Sequence, residues 1–146
     1  MKVTVDTNIF LNVINKEPEF MAYSSKILDA IDGGSLTAIL STIVLTELSA
    51  GYNQQGLIQE KNAFFSYIIT SPQFEVFPPN VRIADRAGEI RAKQKIRLPY
   101  AIITATAIES GSECVISNDS EFLKVKNLID VFGSKEFCEL HGLLEI

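Results

Sequence analysis

The chain has 146 residues with 47% apolar and 21% charged side chains, proportions that exclude a disordered chain and are long enough for one domain with a true core. A net charge of −5 argues against tight nucleic-acid binding over the whole surface. No apolar run approaches the roughly 18 residues a membrane span needs, no signal-peptide pattern opens the chain, and its two cysteines have no metal-ligand spacing. The expectation is a soluble, cytoplasmic protein with reduced thiols and no membrane partner.

In chain order, residues 1–6 read as a short buried strand and 9–15 as a helix just after it. Residues 20–31 carry Phe20, Tyr23, Ile27, Leu28 and Ile31 at helical spacing and stop at Gly33-Gly34. Residues 36–40 suit a second strand. Ser41 then has the setting of an N-cap for a helix through Ser49, with Gly51 as its stop. A further amphipathic helix spans 57–69, and a strand spans 74–77 up to Pro78-Pro79. A long helix covers 80–96, Pro99 opens another at an N1-like position, and that one ends at Gly111. Strands follow at 113–117 and 129–132, and a helix at 134–141 closes the chain.

Short strands alternating with helices predict a single α/β domain over residues 1–146: a parallel sheet of about five strands flanked by helices in three layers. Right-handed crossovers gather the strand ends on one edge. Strand order is not readable from spacing.

That edge carries the chemistry. Asp6 stands where the first strand gives way to a helix, in Val5-Asp6-Thr7-Asn8. Asp119 has the same setting late in the chain, in Ile116-Ser117-Asn118-Asp119. In open α/β sheets, ligands bind outside the carboxyl ends of the strands. Glu47 follows Ile43 and Val44 on the helix that leaves the same edge, and no Lys or Arg occurs between Lys26 and Lys61 to neutralise it locally. Strand-end acids also serve as turn formers and caps, and Glu47 also reads as an exposed helix-edge residue. Together the three acids point to a divalent-metal site, and oxygen-only ligands select Mg²⁺ or Mn²⁺ over Zn²⁺.

Other features allow two readings each. Six of the 13 basic residues lie between Arg82 and Arg97, as a solvated helix face or a strip for phosphate. Thr7 and Asn8 suit hydrogen bonds to Asp6 or to metal-bound waters, or capping of the helix that follows. Ser117 suits bonding phosphate, orienting Asp119 or a plain strand end, and Glu121 is a candidate accessory acid. Phe64, Phe65, Tyr67, Ile68 and Ile69 form an apolar surplus for the core or for a partner. The single histidine, His141, lies far from every acid.

The four stretches Val5-Asp6-Thr7-Asn8, Ser41-Thr42-Ile43-Val44-Leu45-Thr46-Glu47-Leu48, Leu98-Pro99 with Ala101-Ile102-Ile103-Thr104-Ala105-Thr106-Ala107, and Ile116-Ser117-Asn118-Asp119-Ser120-Glu121-Phe122, in this order, resemble the PIN-domain family, in particular VapC-type ribonuclease toxins. The resemblance covers essentially the whole chain. It implies a metal-dependent endoribonuclease in which four acids surround Mg²⁺ or Mn²⁺. By motif, the first acid is Asp6, the second Glu47 and the fourth Asp119; the third position, after Leu98-Pro99, holds Tyr100. The resemblance further implies an RNA substrate, a small antitoxin protein as partner and a homodimer. The departure at Tyr100 opens an alternative, a catalytically weakened or inactive PIN-fold module that binds RNA or protein. Phosphotransfer from Asp6 is a minor reading, since it wants a second Asp where Asn8 stands.

Overall fold

The computed structural model describes residues 1–144, so the last two residues of the expected domain lie outside it. Its five strands are β1 (Lys2–Val5), β2 (Thr37–Ser41), β3 (Phe74–Phe77), β4 (Cys114–Ile116) and β5 (Asp130–Phe132), all parallel and in the order β3-β2-β1-β4-β5. The helices are α1 (Thr7–Ile14), α2 (Met21–Asp32), α3 (Thr42–Gln54), α4 (Ile58–Thr70), α5 (Val81–Gln94), α6 (Leu98–Glu109) and α7 (Ser134–Leu140), with a 3-10 helix at Ser120–Val125. This is the α/β architecture the alternation of elements predicts.

The strands are near-continuous apolar runs because both sheet faces are covered. Val3, Val5, Ala38, Ile39, Leu40, Val115 and Ile116 are fully buried. On one side α6 lies on β1, β2 and β4 and packs against α5; elsewhere α2 packs against both α1 and α7. Ala101, Ala105 and Ala107 are fully buried on α6, and their small side chains let that helix approach the sheet closely.

Several helix boundaries differ from those the residue pattern predicts. The first helix begins at Thr7, directly after Asp6. Gly51 does not stop α3, which continues to Gln54. Tyr52 is buried one residue past the glycine and its ring lies 6.0 Å from that of Phe64, so packing carries the helix through a weak position. The turn comes at Gly56, with φ of +70°. The long helix ends at Gln94, where Lys95 takes the left-handed conformation at φ 54°. Ser41 and Asn80 act as N-caps, accepting hydrogen bonds from the Ile43 and Ile83 amides at 3.2 and 2.9 Å.

The chain order fixes where a crevice opens. From β1 the chain steps outward to β2 and β3, then returns to the other side of β1 for β4 and β5. The connections therefore diverge between β1 and β4, the switch point at which such sheets leave room for a ligand.

Candidate active site

Pairing of Val5 with Ile116 in the β1–β4 ladder sets Asp6 beside Ser117, and the Asp6 amide donates to the Ile116 carbonyl at 3.1 Å. Asp119 follows two residues later. Glu47 arrives from the neighbouring strand, in the second turn of the helix that leaves β2. Asp6, Glu47 and Asp119 line one open cavity of about 310 Å³ together with Thr7, Asn8, Leu11, Arg97, Pro99, Tyr100 and Ile103.

Each carboxylate is held differently. Asp6 is buried, at 5% exposure, and its Oδ2 accepts hydrogen bonds from Asn8 Nδ2 at 2.7 Å and Ser117 Oγ at 2.8 Å. The Ser117 hydroxyl in turn accepts from Asn8 Nδ2 at 2.9 Å and from the Asp119 amide at 3.0 Å. Ser117 therefore orients Asp6 and ties down the backbone of Asp119. Glu47 is exposed at the rim, with Oε1 accepting from Thr7 Oγ1 at 3.0 Å. The burial cost that a lone acid on an apolar face would carry falls on Asp6 instead of Glu47. Asp119 is half-buried and has both oxygens engaged: Oδ1 accepts from the Glu121 amide at 3.0 Å and Oδ2 from the Tyr100 hydroxyl at 2.6 Å.

Burial pushes the Asp6 carboxyl up to about 6; the Ser117 hydrogen bond opposes this, and the negative charges of Glu47 and Asp119 add to it. Burial and the hydrogen bond to Asp119 push the Tyr100 phenol up to about 12, which keeps it neutral and a donor. Its ring is fixed edge-on against Phe122, with centroids 5.1 Å apart.

Behind the acids, Asn118 knits the loop to the body of the protein. Its amide donates to Asn8 Oδ1 at 3.0 Å, its Nδ2 to Asn12 Oδ1 and Ser134 Oγ at 2.9 Å each, and its Oδ1 accepts from the Ser134 amide at 2.8 Å. Residue types and spacing do not single out Asn118; its place between Ser117 and Asp119 is the only signal the sequence offers.

The basic strip disperses in three dimensions. Arg82 and Arg86 both pair with Glu109, at 2.9 and 3.0 Å, Arg91 donates to the Ile96 carbonyl at 3.2 Å, and Lys93 stands 4.0 Å from Glu89. Of the six, only Arg97 lines the acid cavity, a role that its membership of the strip does not reveal. Glu121 pairs with Lys124 at 3.2 Å and does not line the cavity. His141 packs on Phe137.

Among the described residues, no three Asp, Glu, His or Cys side chains converge tightly enough, as they stand, to hold a metal ion directly. The donor set nevertheless fits a hydrated hard cation. Its donors are all carboxylate oxygens, and Asp6 Oδ1 and Glu47 Oε2 receive no side-chain hydrogen bond among the described residues. Mg²⁺ commonly retains several waters and binds through few carboxylates.

The sequence profile described as PIN domain matches residues 3–128. The chain belongs to the PIN-domain family. Solved structures agree on the fold. VapBC2 from Rickettsia felis, bound to a promoter DNA fragment, superposes with a TM-score of 0.71 at 22% identity, covering 91% of this chain and 98% of that one. FitAcB from Neisseria gonorrhoeae gives 0.69 at 22% identity over 91% and 98%. The Mycobacterium tuberculosis toxin VapC20, described as cleaving the sarcin-ricin loop, gives 0.69 at 16% identity over 88% and 98%. No curated protein matches the sequence. In this PIN domain, Asp6, Glu47, Tyr100 and Asp119 lie around one cavity.

Proposed function

We propose that this PIN domain is a Mg²⁺- or Mn²⁺-dependent endoribonuclease of the VapC toxin type. The observation that carries the reading is the convergence of Asp6, Glu47 and Asp119, from three separate segments, on one open cavity at the switch point of the sheet. The cleavage of an RNA loop by the similarly folded VapC20 supports RNA as the substrate class.

The chain's own residues prepare the site. Asn8 and Ser117 fix Asp6 through Oδ2 and leave Oδ1 for a cation; Thr7 does the same for Glu47 through Oε1. Asp119 is oriented from both sides by Tyr100 and the Glu121 amide. A bound divalent cation supplies Lewis-acid polarisation of a phosphate oxygen and lowers the pKa of a water nucleophile. The carboxylates hold that cation and keep the cavity negative until it binds.

The relatives crystallised as toxin–antitoxin complexes support a small antitoxin as partner, and a homodimer belongs to the same reading. So does action in the cytoplasm, where such an RNA substrate resides. Among the described residues no helix is long and apolar enough to cross a membrane.

Tyr100 favours a second reading, a binding module without turnover, because its hydroxyl occupies Asp119 Oδ2. Incubation of structured RNA with the protein in Mg²⁺, Mn²⁺ or EDTA decides between them. Cleavage that needs metal and is lost in Asp6→Asn and Asp119→Asn supports the nuclease. RNA binding without cleavage in either metal supports the module.

A further inference from the structure

Among the described residues, Arg97 is the one cationic side chain lining the acid cavity. It is exposed and forms no ion pair among those residues, although Arg82 and Arg86, earlier in the same basic stretch, are both committed to Glu109. Its guanidinium lies 5.1 Å from the centre of the Tyr100 ring and donates from Nη2 to the Tyr100 hydroxyl at 2.9 Å. That hydroxyl passes its own hydrogen to Asp119 at 2.6 Å. The phenol thus separates the guanidinium from the carboxylate and prevents the direct ion pair that would neutralise both. One of five guanidinium N–H donors is used by Tyr100, so the planar fork retains donors for a bidentate partner.

We infer that Arg97 binds a phosphate of the substrate strand at the mouth of the cavity and that Tyr100 is the positioning residue that holds it there. This rests on the nuclease reading only for the identity of the strand as RNA. The chemistry explains why an acidic protein can accept a polyanion at all: three carboxylates repel the strand, and a cation fixed beside them gives its backbone one defined place to land. It also gives Tyr100 a use that an acid at this position would not serve. Asp or Glu beside Arg97 would form a salt bridge with it and withdraw it from phosphate.

The test measures binding of a labelled RNA hairpin in EDTA, so that cleavage does not intervene, alongside Mn²⁺-dependent thermal stabilisation without RNA. Arg97→Ala is expected to weaken RNA binding roughly tenfold, the scale of one charge-assisted hydrogen-bonded contact. The slope of log affinity against log salt should fall by about 0.7–0.9, the contribution of one phosphate contact. Arg97→Lys should restore most of the slope and only part of the affinity, because it keeps the charge and loses the fork. Tyr100→Phe should raise KM more than it changes kcat, with the slope retained. The Mn²⁺ stabilisation of Arg97→Ala should match the parent protein. DNA of the same sequence should show the same loss, since the contact is to phosphate.

Unchanged affinity and slope in Arg97→Ala would overturn the assignment. So would an equal loss of Mn²⁺ stabilisation, which would put Arg97 in the architecture of the acid site instead. The two readings fail separately. Arg97-dependent binding with no cleavage in either metal overturns the nuclease and supports the phosphate contact; metal-dependent cleavage with an unchanged KM in Arg97→Ala does the reverse.

Discussion

The Tyr100 hydroxyl donates to Asp119 Oδ2 at 2.6 Å, inside the cavity that Asp6 and Glu47 also line. The pair keeps Asp119 oriented without adding negative charge, in a cavity where Asp6 already feels Glu47 and Asp119. It also occupies an oxygen that a cation would use. If the site takes the divalent cation proposed for it, it should bind that cation less tightly than a site with four acids would, and its metal-free form should be less strained by like charge.

Both consequences can be measured in Tyr100→Asp. We expect Mn²⁺ to bind on the order of tenfold more tightly, the scale set by changing one group of a metal site. At saturating RNA, cleavage should rise, with EDTA abolishing the gain, while KM rises because the new carboxylate draws Arg97 away from phosphate. In EDTA the variant should melt below the parent protein, since a fourth carboxylate adds repulsion among the acids that a salt bridge to the exposed Arg97 offsets only in part. If the parent already cleaves as fast as the variant, the site is complete with a phenol in it and the weakened-site idea is wrong.

Asp6 gives the chain a definite pH dependence. Its carboxyl is raised from the ordinary 3.8 to about 6 in the folded protein, so the folded state holds that proton more tightly than the unfolded chain does. The contribution to stability is full below pH 3.8, declines as pH rises towards about 6, and is lost above it. Each tenfold difference in proton affinity between folded and unfolded chains is worth about 1.4 kcal/mol, so keeping Asp6 ionised at neutral pH without metal costs about 3 kcal/mol of stability. Asp6→Asn should therefore melt higher than the parent at neutral pH in EDTA, with a flatter profile between pH 4 and 6. Adding Mn²⁺ should raise the melting temperature of the parent and leave that of Asp6→Asn nearly unmoved. Equal stabilisation of both by Mn²⁺ would remove Asp6 from the ligands.

How much of this is legible in the sequence depends on the kind of interaction. The β/α alternation, Ser41 as a cap and Pro99 at a helix start are local features, and the fold follows them. The order β3-β2-β1-β4-β5 depends on long-range pairing and leaves no mark in spacing. Gly51 misleads because Tyr52, one residue further, is held by Phe64 from a different helix. Asp6, Glu47 and Asp119 stand out as charges in apolar settings. Arg97 does not, being one of six cations in a run; its place two residues before Pro99, at the start of α6, is the available hint. The links from Asn118 to Asn12 and Ser134 join three distant segments and have no local signature.

The two cysteines should be unreactive in the native protein. Burial pushes the Cys114 thiol up to about 12 and that of Cys138 up to about 11, and Cys138 Sγ lies 3.4 Å from the Tyr23 carbonyl. Thiolate is the reactive form, so at about pH 8 an aromatic disulfide reagent should label neither residue within minutes. Both should react in denaturant. Rapid native labelling of either would show that α7, which carries Cys138, or β4, which carries Cys114, opens far more readily than its packing implies.

Backbone strain marks the approach to the site. Lys95 sits at φ 54° immediately after α5, its amide donating to the Arg91 carbonyl, and only two residues before Arg97. A side chain in the left-handed region costs about 1–2 kcal/mol, whereas glycine accepts it at the cost of a more flexible unfolded chain. Lys95 is exposed, so its removal forfeits little packing. Lys95→Gly should thus raise stability by about 0.5–1 kcal/mol, or about 2–4 °C for a domain of this size. The opposite change at Gly56, whose φ is +70° in open surroundings, makes the control: Gly56→Ala should destabilise by about 1 kcal/mol. If Lys95→Gly instead lowers the melting temperature, the lysine side chain must contribute more at that helix end than its conformation costs. The turn leading to Arg97 would then owe its shape to residue 95 itself, not to the elements on either side.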